Sequence, residues 1–168
     1  MITAKSLLAY ILQAASAFGS PIDTADINHE EAYCLAQNVF YEARGEPISG
    51  QFAVASVTLN RANDSRYPDT ICGVVKQGSG RSCAFSWTCD SKRVGREISV
   101  KNADGSVNHR VAEQFKTASM VAVAAMAGAV EDKTRGATHF HNQTVKPSWA
   151  TRLIRTVTIG NHTFYRYK

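Results

Sequence analysis

The run Met120-Val121-Ala122-Val123-Ala124-Ala125-Met126-Ala127 carries no polar side chain and constrains the fold more than any other stretch. Asn108 is an N-cap residue type, so the run belongs to a helix expected over about 109–130. A helix that is apolar all round has no face to offer water. It has to be central and buried, and its alanines let neighbouring helices approach closely.

The rest of the chain supplies the elements to surround it. Asn28 with Glu31 three residues on reads as a capping box, opening a helix over 29–43 with Leu35, Ala36, Val39 and Phe40 as its apolar positions. Gly45 and Pro47 stop that helix, because Pro disfavours the helical conformation at the residue before it. Ser49 is a candidate cap for a second helix, about 50–62. Its apolar positions Phe52, Ala55, Val57 and Leu59 suit burial on more than one side. Asn63-Asp64-Ser65 and Tyr67-Pro68-Asp69 are turn chemistry, and Thr70 can cap a short helix through Val75. Residues 77–82 form a Gly/Ser-rich loop, Ala84–Trp87 suits a strand edge, and 91–108 is polar enough for an exposed loop or lid.

From Ala137 the pattern becomes β. His139 and His141 fall on one strand face. Thr156–Ile159, then Gly160-Asn161, then His162–Tyr165 reads as a two-residue hairpin. With 168 residues and no internal repeat, one α+β domain is expected: a helical lobe followed by a small antiparallel sheet.

The formal net charge of +5 suits an anionic partner such as nucleic acid, a membrane surface or the bacterial envelope. Lysine and arginine are scattered, with no basic run interleaved with aromatics, which argues against nucleic acid. Residues 1–20 read two ways. Lys5, an apolar stretch and Ala15-Ser16-Ala17 resemble a secretory signal. Equally, Leu8, Ile11, Leu12, Ala15 and Phe18 make one face of an amphipathic helix. The stretch is too short to span a bilayer, so no stable membrane insertion is expected. Residues 21–168 would form the functional domain.

The chemistry concentrates in Tyr41-Glu42-Ala43-Arg44-Gly45-Glu46-Pro47. Glu42 falls in the last turn of the first helix, where the helix dipole disfavours a carboxylate. That raises its pKa, as a general acid near neutral pH requires. The competing reading is a solvated charge cluster in which Arg44 pairs with either acid.

This run resembles the signature of the SleB-like cell-wall hydrolases, named for the spore-cortex-lytic enzyme and found also in bacteriophage lysins. Three further blocks resemble the same family in the same order. They are Ile71-Cys72 with Cys83–Asp90, then Ala137–His141 with Pro147 and Trp149, then Ile159–His162 with Phe164-Tyr165. The resemblance implies a lysozyme-like domain that cleaves peptidoglycan glycan strands between N-acetylmuramic acid and N-acetylglucosamine, with Glu42 as catalytic acid. It includes lytic transglycosylases, which need one glutamate and no cofactor. A phage endolysin that acts as a monomer in the periplasm or cell wall is the expectation. It would be made in the host cytoplasm, or secreted if the first segment is a signal. The family pattern has glutamine where this chain has Ala84, which puts that side chain's polar contact in doubt.

Candidate substrate contacts are Tyr41, Phe85, Trp87 and Trp149 as aromatic platforms, with Glu46, Ser86, Asp90, His139 and His141 as polar ones. Glu46 and Asp90 are the candidates for a second carboxylate, but Glu46 reads more readily as a salt bridge to Arg44 or Arg61 that props the loop, and Asp90 as well as a cap. A rival places zinc on His139, His141 and His162, with Glu42 as base of an N-acetylmuramoyl-L-alanine amidase. A third reading is a peptidoglycan-binding module without activity. The four cysteines allow three pairings; an envelope enzyme favours bridges, and the expected pair is Cys72–Cys83 with Cys34–Cys89.

Overall fold

A computed structural model describes residues 26–79, 82–90 and 92–168. The N-terminal segment read above as helix or signal lies outside the described residues. The helices are α1 (His29–Ala43), α2 (Ile48–Ala62), α3 (Ile71–Val75) and α4 (His109–Met126). Two short strands, β1 (Gly78–Ser79) and β2 (Ser82–Cys83), lead to a 3₁₀ turn η1 (Ser86–Cys89). The C-terminal part holds β3 (His139–Asn142), a second 3₁₀ turn η2 (Ser148–Arg152), β4 (Ile154–Ile159) and β5 (His162–Arg166).

The caps explain where the helices begin. Asn28 Oδ1 accepts from the N–H groups of Glu30 and Glu31 at 2.9 and 3.2 Å. The reciprocal half of the expected capping box is not made. Glu31 instead accepts from the backbone N–H groups of Ile71 and Cys72, satisfying open donors at the start of α3. Thr70 caps α3 as expected, accepting from Gly73 N–H at 3.0 Å. Ser49 is not the cap of α2; the helix starts at Ile48 behind Pro47, whose carbonyl accepts from Gly50 and Gln51. Asn108 caps α4, which ends at Met126 rather than Val130. Gly128, at φ 67°, turns the chain out of the helix there.

α4 is central: Phe115, Ala118, Val121, Ala122 and Val123 are buried, and the helix packs on α1 and α2. α2 divides two cores. Ala55 faces the helical one, while Ala53 and Val57 pack with Ala137 and Phe164 under the sheet. That sheet is antiparallel in the order β3-β5-β4. Its inner face carries Phe140, Phe164 and Val157; its outer face carries His139, His141, Thr163 and Tyr165.

One expectation in the middle of the chain is corrected. Ala84–Trp87 is not a strand edge: the strand precedes it and Ser86–Cys89 winds into η1. The described part of the expected exposed loop, 92–108, is indeed largely exposed, and it is anchored at one place. Gln37 Nε2 donates to the Arg96 carbonyl at 2.8 Å, Ile98 N–H donates to the Tyr33 hydroxyl at 3.3 Å, and Ile98 is buried.

The disulfides are Cys34–Cys72 and Cys83–Cys89, with Cα separations of 5.3 and 5.6 Å, not Cys72–Cys83 and Cys34–Cys89. Glu31 draws the start of α3 onto α1, which brings Cys72 to Cys34 one turn along. The η1 turn then folds Cys89 back on Cys83. The first bridge staples two helices; the second closes a tight loop around Ser86 and Trp87.

Candidate active site

Glu42 projects from the last turn of α1 at the junction of helices and sheet. Burial pushes its carboxyl up to about 7, while a hydrogen bond with Ser86 and the charge of Arg61 pull the other way. The direction agrees with the helix-end argument, but burial is the leading cause.

The local fold explains why Ser86 meets this carboxyl. Asn38 and Glu42 lie one turn apart on one side of α1. Trp87 Nε1–H donates to Asn38 Oδ1 at 2.8 Å, and Asn38 Nδ2 donates to Thr58 Oγ1 at 3.0 Å. Thr58 in turn donates to the Val54 carbonyl at 3.3 Å. Trp87 also stacks on Tyr41 at 4.5 Å. With the indole fixed, its neighbour Ser86 is held at Glu42.

Arg61 fills the space between α2, the approach to η1 and β3. Its Nε–H donates to the Thr138 carbonyl at 2.7 Å, and its guanidinium lies over the rings of Phe85 and Tyr67 at 4.9 and 5.4 Å. The same charge reaches His139. Burial first, then Arg61 and Arg66, hold that imidazole down at about 4, so it is neutral at physiological pH. Arg61 is therefore placed to compensate a carboxylate on Glu42.

The other expected contacts divide into groups. Phe85 and Trp87 are 3% and 6% exposed, members of the helical core with no free face for a sugar. Glu46 does not pair with Arg44 or Arg61. Its carboxylate accepts from Asn161 N–H at 2.8 Å and Asn161 Nδ2 at 3.0 Å, latching the hairpin turn. Gly160 has φ 58°, and a Cβ there would lie 2.2 Å from Glu46 Oε2, so any side chain at this turn would push the Glu46 latch aside. Asp90 accepts from Lys92 N–H and pairs with Arg93 at 3.1 Å, holding a turn.

His139, His141 and Trp149 do come together, on the outer sheet face with Tyr165. The Trp149 ring lies 5.3 to 5.7 Å from the other three. His141 Nδ1 is 2.8 Å from the Asn142 carbonyl and so carries the proton; its Nε2 accepts from the Tyr165 hydroxyl at 2.9 Å. Both ring nitrogens are thus engaged. Among the described residues no three His, Cys, Asp or Glu side chains group as a metal site would need. A cleft of about 640 Å³ runs beside His141, Pro147 and Tyr165. Another, of about 420 Å³, runs along Tyr41 and Arg44. Glu42 lines neither.

Arg61, Asn38 and Tyr165 escape the sequence reading as site residues. A signal existed for Asn38, an amide four residues before Glu42 on an otherwise apolar helix face. For Arg61 the only hint was an arginine inside a helix with two apolar sides.

Residues 45–165 match the cell wall hydrolase family. The chain is 32% identical over 141 residues to the spore cortex-lytic enzyme of Halalkalibacterium halodurans, covering 83% of this chain and 36% of the relative. It is 56% identical over 41 residues to that of Oceanobacillus iheyensis, covering 24% of this chain and 15% of the relative. It therefore spans only about a third, or less, of the length of these relatives. Among solved structures it is similar to the catalytic domain of the Bacillus cereus SleB protein, with TM-score 0.58 and 26% identity, covering 84% of this chain and 94% of that one. It is also similar to the catalytic domain of the germination-specific lytic transglycosylase SleB of Bacillus anthracis, with TM-score 0.56 and 27% identity, covering 84% and 98%. The α+β fold is thus lysozyme-like, as these neighbours are.

Proposed function

Because this chain belongs to the cell wall hydrolase family, we propose that it cleaves peptidoglycan glycan strands between N-acetylmuramic acid and N-acetylglucosamine as a lytic transglycosylase, with Glu42 as its one acid/base group. The family match starts at Gly45, so the case for Glu42 rests on geometry. The observation that carries it is a carboxyl raised by burial to about 7, with Ser86 and Arg61 beside it. A group half protonated near neutrality can both give and take a proton.

Glu42 protonates the bridging oxygen as the glycosidic bond breaks, and the muramic residue gains oxocarbenium character. The new Glu42 carboxylate is stabilised by the Ser86 hydrogen bond and the Arg61 charge. It then takes the proton of the muramic 6-hydroxyl as that oxygen attacks C1, which closes a 1,6-anhydro ring and restores the acid. No water is consumed and no second carboxylate is required. Glu46, tied to Asn161, is assigned to loop positioning. Trp149, His139 and His141 supply an aromatic and polar face for the strand, supported by their clustering beside the larger cleft.

Mass spectrometry of muropeptides released from purified sacculi tests this. Products with 1,6-anhydromuramic ends are expected; reducing ends would replace the transglycosylase reading with hydrolysis. Zinc-dependent release of free stem peptides would replace it with the amidase. We also assign the protein to host lysis as a monomeric phage endolysin acting on the cell wall, supported by the resemblance to lysins. Lysis of outer-membrane-permeabilised bacteria by wild type and not by Glu42→Gln is expected; activity confined to spore cortex would overturn that role.

A further inference from the structure

Beside the site lies a cleft whose chemistry the cleavage step does not use. It begins at Tyr41, one residue before Glu42 and about 100° round the α1 axis. Arg44 rises from the next turn on the same helix face, and Lys92, Arg93 and Arg96 come from the segment after η1. Four cations therefore share a cleft of about 420 Å³ with a single carboxylate, Glu97.

Most of these charges are uncommitted. Arg93 pairs with Asp90 and lies 5.5 Å over the Tyr41 ring. The Arg44 guanidinium rests 4.8 Å over Phe40 and has no carboxylate partner among the described residues; neither do Lys92 and Arg96. The backbone beneath them is held in place. Gln37 fixes the Arg96 carbonyl and Tyr33 fixes Ile98 N–H. Like charges gathered on a pinned segment repel one another, and an anion in the cleft relieves that repulsion.

We infer that this cleft binds the carboxylates of the peptide stem carried by the muramic residue, making the enzyme selective for stem-bearing over bare glycan strands. This rests on the proposed glycan cleavage at Glu42. The N-acetylated sugars carry no charge while the lactyl carboxyl of the muramic residue is tied up in the amide to the stem. The stem, with its D-glutamate and terminal carboxylates, is the anionic part of the polymer, and it branches next to the bond to be cut. Single exposed ion pairs are weak, but several converging on one ligand add up, and all are screened by salt.

The test uses the Glu42→Gln form of this chain, chosen to bind with little turnover. Its affinity is measured for soluble peptidoglycan fragments, for the same fragments stripped of stems by an amidase, and for stripped fragments whose exposed lactyl carboxylates have been converted to amides. Tighter binding of the stem-bearing form is expected, by about tenfold at low ionic strength, shrinking towards parity at 0.5 M salt. Adding Lys92→Gln and Arg96→Gln should remove most of that preference. Equal affinity for the stem-bearing and the amidated stripped forms, or a preference untouched by these substitutions in protein that melts normally, overturns the inference. Should the double substitution fail to fold, Lys92→Gln alone and the salt series decide. Preferential binding by a wild type that releases no anhydromuropeptides would keep the subsite and reject the cleavage reading.

Discussion

Glu42 and Glu46 stand four residues apart and have opposite fates. Glu42 lies in the last turn of a helix, is partly desolvated there, and has a serine hydroxyl and a buried guanidinium for company. Glu46 lies past the helix in a loop, and both its oxygens are taken up by Asn161 across the molecule. A carboxyl held near its neutral form by burial can exchange a proton. One bound by two donors to a turn acts as a tether. Residue type is the same; what differs is how many strong donors the fold brings to each oxygen and how much water it leaves.

The largest effect expected from breaking this contrast is on turnover. Glu42→Gln keeps the shape and removes the proton, so cleavage of sacculi should fall by roughly 10²- to 10⁴-fold in folded protein. Near wild-type rates in that variant would falsify the assignment, and a greater loss in Glu46→Gln would move the acid there.

Stability offers a second handle with a definite sign. An ordinary glutamate titrates near 4.5, and folded Glu42 near 7. The folded state keeps a proton that the unfolded chain gives up. The native protein therefore holds its full stability below about 4.5 and loses it as pH rises towards 7. Glu42→Gln should thus be more stable than wild type at pH 8, by up to about 3 kcal/mol, with no advantage at pH 4. Urea melts at the two pH values check this; equal differences at both would reject the raised pKa. For the same reason kcat should decline as pH rises through about 7.

The two disulfides sharpen the comparison, because only one borders Glu42. Replacing Cys83 and Cys89 by serine frees η1, costs roughly 2 kcal/mol in the chain-entropy model, and lets water reach the carboxyl. The alkaline limb of the pH–rate profile should move to lower pH. Replacing Cys34 and Cys72 costs more stability, roughly 4 kcal/mol, and should leave that limb in place. Limbs that move alike in both variants would mean that the local bridge has no special hold on Ser86. The smallest effect belongs to Glu46→Gln. It weakens two hydrogen bonds to Asn161, for a loss of roughly 1–2 kcal/mol in thermal melts and less than tenfold in rate. An unaltered melting temperature would remove the tether.

How much of this was legible in the chain depended on the range of the forces involved. The bounds of α1, the Thr70 and Asn108 caps and the Gly160-Asn161 hairpin are set by residues within about four positions of one another, and the sequence displays them. The all-apolar run of α4 announced a buried helix because an uncovered one would face water on every side. Even the candidate acid was visible, as a glutamate at a helix end inside a four-block resemblance. The rest required partners from far along the chain. Glu31 leaves its own cap for α3, forty residues on, and with it the cysteine pairing changes. Trp87 turns inward because Asn38 offers its indole N–H a buried acceptor. Arg61 reaches Thr138 across the domain, and Glu46 finds Asn161 rather than a nearby arginine. The sequence by itself determined the helices, the hairpin and the identity of the candidate acid, because local geometry and periodicity suffice for these. Only the tertiary structure decided what surrounds that acid, because desolvation and long-range hydrogen bonds exist only once distant segments have met.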